Sequence, residues 1–241
     1  YYVPMHVEAA DLETALRGLP KLGFVGVNIT VPHKEQALEI ADEVSDAARR
    51  IGAANTLTFG RDGAIHADNT DAYGFEQNLR CNAPEWQPSS GPALLFGAGG
   101  AARAVIVALL QAGVPELRIA NRTRSRADAL KAQFGERVTV VEWDEAGAAL
   151  EGATTVVNTT SLGMGDDTSW PVPFDRLSPD AVVTDIVYAP LETPFLSAAR
   201  AKGCHCVDGL GMLVHQGVPG FERWFGTRPE VDSATRAAVL R

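Results

Sequence analysis

Little in this sequence points to a membrane, a nucleic acid or an oxidising compartment. No apolar run approaches the length that spans a bilayer, and no signal-peptide pattern opens the chain. The three cysteines, Cys81, Cys204 and Cys206, make no disulfide framework, so a reducing cytoplasm is the expected setting. Positive charge is scarce: 21 Lys and Arg stand against 30 Asp and Glu, a net charge of −9. Without a basic stripe to neutralise phosphates, a nucleic-acid partner is not expected. No metal is expected either. Cys204-His205-Cys206 would alternate faces on a strand, and no second Cys/His cluster completes a tetrahedron. Internal repeats and low-complexity segments are also missing. There is no initiator Met, and Tyr1-Tyr2-Val3-Pro4-Met5 reads like the middle of a strand, as expected of a fragment or processed chain.

What is present is an ordinary globular composition, 46% apolar and 21% charged over 241 residues, enough for one large domain or two small ones. One stretch organises the rest: Ala93-Leu94-Leu95-Phe96-Gly97-Ala98-Gly99-Gly100-Ala101-Ala102. An apolar strand enters a glycine turn and a small-residue helix follows. Gly97, Gly99 and Ala102 fit the dinucleotide spacing G-x-G-x-x-[GA]. Gly97 permits the turn, Gly99 lets the backbone approach a pyrophosphate, and Ala102 lets helix and strand pack closely. The helix start around Ala98, Gly100 and Ala101 then offers free N–H groups and a positive dipole end to the diphosphate. A second strand, residues 117–120, runs into Asn121-Arg122-Thr123-Arg124-Ser125-Arg126. An NAD fold would place a carboxylate here for the ribose hydroxyl. This chain has three arginines and no carboxylate before Asp128, so NADP is the expected cofactor, its 2′-phosphate held by guanidinium forks. Spacing of i, i+4 puts the Arg122 and Arg126 guanidiniums on one side of the helix start, able to grip the phosphate together.

The remaining elements alternate. A helix over 12–19 and a strand over 24–30 come first, with Asn28 and Thr30 sharing a face at the carboxyl end of the strand. Pro32 opens a helix running to about Val44. Lys34 stands in its first turn, where the dipole disfavours a cation. That position fits a functional amine or a side chain swung out to solvent equally well. Asn55 ends an apolar turn, and Asp71 precedes a helix over 72–80 either as an N-cap or as a working carboxylate. Residues 81–91 are a turn-rich link. Strands follow at 137–141, 154–158 and 181–188, with a short helix at 145–150. The second of these strands ends in the polar loop Asn158-Thr159-Thr160-Ser161. A helix to residue 202, a short strand over 205–207, the glycine turn Asp208-Gly209-Leu210-Gly211, and helices over 212–224 and 233–240 complete the chain.

With these stretches in order, the sequence resembles the shikimate dehydrogenases. The matching motifs are Gly26-Val27-Asn28-Ile29-Thr30-Val31-Pro32-His33-Lys34, Ile51-Gly52-Ala53-Ala54-Asn55-Thr56, Asn69-Thr70-Asp71, the Gly97 turn, Asn121-Arg122-Thr123, Asn158-Thr159-Thr160-Ser161 and the run from Asp208 to Gln216. The resemblance implies an α/β protein of two domains. A Rossmann-type doubly wound NADP domain occupies 73–209, and a smaller α/β substrate domain, completed by a C-terminal helix, occupies 1–72 and 210–241. It also implies reversible hydride transfer between NADP(H) and the 3-dehydroshikimate/shikimate pair, with a small molecule as partner and a homodimer left open. Lys34 and Asp71 would be the catalytic pair. Asn55 and Gln216 would hold substrate hydroxyls, with Thr30 and Tyr188 lining the same site beside Asp71. Gly209 and Met212 would lie near the nicotinamide, and Asn121, Thr123, Asn158 and Thr159 belong to the motifs on the cofactor side. The family's preceding strand, with its Ser-x-Ser carboxylate motif, has no counterpart in these residues. A dual quinate/shikimate dehydrogenase is the nearest alternative, but its NAD-using members tend to carry an acidic residue at the position of Arg122. A catalytically silent NADP-binding sensor is an alternative of another class.

Overall fold

A computed structural model describes residues 1–165 and 169–240. The chain forms two compact units, Tyr1–Thr70 with Gln216–Glu230, and Asp71–His215 with Val231–Arg241.

The first unit holds α1 (Leu12–Gly18), β1 (Gly26–Asn28), α2 (Lys34–Ile40), β2 (Glu43–Val44), α3 (Asp46–Ile51), β3 (Thr56–Phe59) and β4 (Ile65–Asp68). Its sheet runs β1-β3-β4-β2, with β1 and β4 antiparallel to β3, and β2 parallel to β4. Leu12, Leu16 and Leu19, spaced as one helical stripe, pack with Val27, Ala37, Leu57 and Ile65 to make its core. The helix expected to reach Val44 stops at Ile40, and Val44 lies in β2. Tertiary pairing outweighs helix propensity there. Arg17 donates to the Ile40 carbonyl at 2.9 Å and to Asp42 at 2.5 Å, and Asp42 accepts the Ile65 amide at 2.8 Å. Those bonds draw residues 43–44 alongside β4.

The second unit holds α4 (Asp71–Asn82), β5 (Ala93–Phe96), α5 (Gly100–Ala112), β6 (Leu117–Ala120), α6 (Arg124–Phe134), β7 (Val138–Val141), β8 (Thr155–Asn158), β9 (Val182–Asp185), α7 (Pro194–Ala201) and β10 (His205–Val207). α8 (Leu210–Phe225) starts in this unit, and the division falls inside it, between His215 and Gln216. α9 (Ser233–Val239) belongs to the second unit. All six strands are parallel in the order β10-β9-β8-β5-β6-β7, the doubly wound arrangement expected from the sequence. Every residue of β5, β8 and β9 is buried, and β5 reads as a continuous apolar run. In place of the helix expected over 145–150 there are two short 3₁₀ turns, Trp143–Glu145 and Ala148–Leu150, with Gly147 between them. Arg236 of α9 donates to Asp208 at 3.2 Å, which ties that helix to the second unit. Among the described residues no helix is long and apolar enough to cross a membrane.

Candidate active site

In the first unit a buried polar cluster forms around Asn55, which is 2% exposed. Its Nδ2 donates to Thr70 Oγ1 at 3.0 Å and to Gln216 Oε1 at 3.1 Å. Its Oδ1 accepts from the Thr70 amide and from Thr56 Oγ1, both at 2.9 Å. The backbone around it is fixed as well, because the Ile29 amide donates to the Asn55 carbonyl at 2.8 Å and Asn28 Nδ2 reaches the same oxygen at 3.2 Å. Lys34 is the first residue of α2, half-buried, and its carbonyl accepts the Ala54 amide at 2.8 Å. Thr30 is exposed in the turn before it, its carbonyl accepting the His33 amide at 2.9 Å. Asn55 and Gln216 are thus in contact, and Lys34 is joined through its backbone to the residue before Asn55.

Sequence reasoning passed over Asp68 and Arg223, which pair beside this cluster. Burial pushes the Asp68 carboxyl up, but hydrogen bonds from Ser45 and Arg223, with the Arg223 charge, outweigh it and hold the group below the usual carboxylate range.

In the second unit the glycine turn has the geometry its spacing implies. Gly97 sits at φ +109, and a Cβ there would stand 2.6 Å from Thr159 Oγ1, so both conformation and space require glycine. Gly99 caps α5 without any side-chain bond to the first turn, and nothing stands within 4 Å of a Cβ at Gly99 or Gly100. The helix start from Ala98 to Ala101 therefore opens onto unfilled space, as a diphosphate cradle requires. Asn121 Nδ2 braces the next loop on the Thr123 carbonyl at 2.8 Å.

The arginines of that loop are not equivalent. Arg124 is paired with Asp128 at 3.5 Å and with Glu142. Arg122 and Arg126 are exposed, and among the described residues neither guanidinium has a partner. The expected i, i+4 relation between the two does not hold. Thr123 is the N-cap of α6, so Arg122 precedes the helix and no helical spacing relates it to Arg126.

Asn158 and Thr159 end β8 at the same sheet edge, and their side chains are engaged within the protein. Asn158 is fully buried, donating to Asp185 at 3.0 Å and to the Leu162 carbonyl at 3.1 Å, while Thr159 donates to the Phe96 carbonyl at 2.8 Å. Tyr188 is exposed just beyond β9. Gly209 lies against the Ile186 carbonyl, 2.5 Å from where its Cβ would be, and Met212 is half-buried in the first turn of α8. Asp71 is the first residue of α4, buried, and so inside the helix rather than capping it from outside. His205 and Cys206 lie in β10 with Cys204 just before it, and both His205 nitrogens are engaged, by Asn82 O at 2.7 Å and Glu85 at 2.9 Å. Asp185, fully buried at the end of β9, was not singled out from the sequence because it is embedded in an apolar strand pattern.

Comparison with known proteins agrees along the whole chain. Residues 1–57 match the family described as "Shikimate dehydrogenase substrate binding domain", residues 85–163 "Shikimate / quinate 5-dehydrogenase", and residues 209–239 "Shikimate 5'-dehydrogenase C-terminal domain". A protein of Cereibacter sphaeroides named shikimate dehydrogenase (NADP(+)) is 63% identical over 240 residues, which cover 100% of this chain and 86% of that protein. The solved shikimate 5-dehydrogenase of Thermus thermophilus, in complex with NADP(H) and shikimate, has a TM-score of 0.85 at 39% identity, over 98% of this chain and 85% of that one. The quinate dehydrogenase of Corynebacterium glutamicum, in complex with NAD, has a TM-score of 0.90 at 36% identity, over 98% and 85% respectively. The chain belongs to the shikimate dehydrogenase family.

Proposed function

We propose that this chain catalyses the reversible NADP-dependent reduction of 3-dehydroshikimate to shikimate. The observation that carries the reading is the 63% identity, across the full chain, to an enzyme named for that activity. Arg122 and Arg126, without a partner among the described residues, favour NADP over NAD. NADP, when bound, gives or accepts the hydride. The chain's own residues then have to move a proton at the substrate oxygen and hold the substrate still.

Lys34 carries the proton, giving it to the carbonyl oxygen during reduction and taking it from the hydroxyl during oxidation. Asp71 is the acidic partner in that exchange. Asn55 and Gln216 bind substrate hydroxyls, and the four bonds that fix the Asn55 amide orient it before substrate arrives. Thr30 and Tyr188 line the substrate, while Gly209 and Met212 face the nicotinamide side. The reading places the enzyme in the cytoplasm, in keeping with three cysteines that stay free.

The direct test is near-ultraviolet absorbance with shikimate and NADP, run beside shikimate with NAD and quinate with either cofactor. Reduction of NADP by shikimate, at a kcat/KM well above the other three pairs, is the expected result. Turnover of quinate with NAD alone would instead make the chain a quinate dehydrogenase. Binding of NADP without turnover of either substrate would make it a sensor.

A further inference from the structure

The carboxyl of Asp185 has no part in the roles above, yet it joins three segments at the carboxyl edge of the second unit's sheet. It is fully buried and accepts from Asn158 Nδ2 at 3.0 Å, the Val187 amide at 2.9 Å and Thr193 Oγ1 at 2.7 Å. Desolvation raises this carboxyl to about 6 against the pull of those bonds. A buried carboxylate is tolerated only where donors converge on it.

Each donor belongs to a different segment. Asn158 ends β8, and its Oδ1 accepts from the Thr160 amide at 3.0 Å and from Thr160 Oγ1 at 2.7 Å, which shapes the loop after the strand. Thr159 in that loop packs against Gly97, so the loop seats directly on the glycine turn. Val187 lies in the segment before Tyr188, and Gly209 closes on the neighbouring Ile186 carbonyl. Thr193 caps α7 through the Leu196 amide at 3.3 Å and meets Gly163, where a Cβ would stand 3.3 Å from the Thr193 Cβ. One carboxyl therefore braces the far wall of the glycine turn, the Tyr188 segment and the turn that opens α8.

Strand order says which half of a dinucleotide this wall would meet. β6, carrying the arginine loop, lies on one side of β5, and β8, β9 and β10 lie on the other. An adenosine 2′-phosphate held at Arg122 leaves the other half of the molecule along the edge of β8 to β10. This step rests on the NADP reading proposed above. We propose that Asp185 is a positioning residue for the nicotinamide half of the cofactor, tethering the backbone segments that this half lies against without touching the cofactor itself.

The test compares wild type, Asp185→Ala, Asp185→Asn and Thr193→Val. Calorimetry measures binding of NADPH and of 2′,5′-ADP, which lacks the nicotinamide, and amide hydrogen exchange is followed in the ligand-free protein. Asp185→Ala should weaken NADPH roughly tenfold or more, since the untethered segments must then be ordered on binding, and leave 2′,5′-ADP within about twofold. Exchange should speed up at Thr160, Leu162 and Val187. Asp185→Asn keeps acceptors for Asn158 and Val187, and the Thr193 hydroxyl can turn to accept from the new amide, so NADPH affinity should return to within about threefold of wild type.

Unchanged NADPH affinity in Asp185→Ala overturns the proposal. Equal weakening of both ligands overturns it too, by marking Asp185 as a general support of the fold. Should Asp185→Ala fail to fold, Thr193→Val decides: selective weakening of NADPH upholds the tether and wild-type affinity rejects it. Failure of the NADP reading looks different, since wild type itself would then bind neither ligand. The exchange measurement still reports on the tether in that case.

Discussion

As the first residue of α2, Lys34 meets the positive end of the helix dipole, a place better suited to the Glu35 that follows it. That placement, with the Lys34 carbonyl bonded to the Ala54 amide, supports the proposed acid–base role. Lys34→Ala should lower kcat by roughly 10² to 10⁴, the range for a positioned acid–base group, with NADP affinity unchanged. A variant that keeps most of its kcat in a steady-state assay would reject the assignment. Asp185 supports a prediction about stability instead. Its carboxyl rises from 3.8 to about 6 on folding, so the folded state binds its proton more tightly than the unfolded state. The contribution is favourable below the unfolded value and is lost as pH rises through about 6, a swing of about 3 kcal/mol. Asp185→Asn does not titrate there, so its stability relative to wild type should grow between about pH 4 and pH 7. Denaturant unfolding across that range checks it, and a constant difference would mean Asp185 is not desolvated as described. Asp68 has the opposite sign, because its lowered carboxyl supports folding above its ordinary range and the support fades on acidification.

At the scale of elements, the loop between β6 and α6 makes the clearest prediction about the cofactor. Arg124 is spent on Asp128 and Glu142, whereas Arg122 and Arg126 are not paired among the described residues. Arg122→Ala should weaken NADP by roughly ten- to a hundredfold and leave NAD almost untouched, since a hydrogen bond to a charged group contributes about 1.5–3 kcal/mol. Arg126→Ala should act in the same direction and Arg124→Ala should do least. Values of kcat/KM with both cofactors decide, and an equal loss with NADP and NAD in Arg122→Ala would exclude a phosphate clamp. The prediction stands although the helical spacing first used for it does not, because Thr123 caps α6 after Arg122. That pattern recurs along the chain. Parallel strands were legible where burial on both faces leaves an unbroken apolar run, as in β5. The end of α2 was not, because ion pairs from Arg17 and a sheet partner in β4 decide it, and neither is local in sequence. In the candidate site, the conformation of the Gly97 turn could be read directly. The Asp185 tether could not, since its partners lie 27 and 8 residues away and gather only once β8 and β9 pair.

For the whole molecule, the two units divide most of the proposed substrate residues from the proposed cofactor residues. Of the proposed substrate residues, Thr30, Lys34, Asn55 and Gln216 fall in the first unit, and Asp71 and Tyr188 in the second. The glycine turn and the arginine loop fall in the second. A ligand that binds only folded protein stabilises by RT ln(1 + [L]/Kd), about 2.7 kcal/mol at a hundredfold excess over Kd. Amides that exchange only when their unit opens should then slow by about a hundredfold. 2′,5′-ADP reaches only the adenosine side, so it should slow exchange in β5, β6 and β8 and leave β3 and β4 nearly unchanged. Shikimate alone should do the reverse, slowing β3, β4 and the amides around Asn55. Hydrogen exchange read by mass spectrometry over peptides from each unit separates the two patterns. Protection of β3 and β4 by 2′,5′-ADP, with β5 and β8 unaffected, would reject the assignment of cofactor and substrate to their units. Equal slowing throughout would mean that the units open together and that the division is not one of stability.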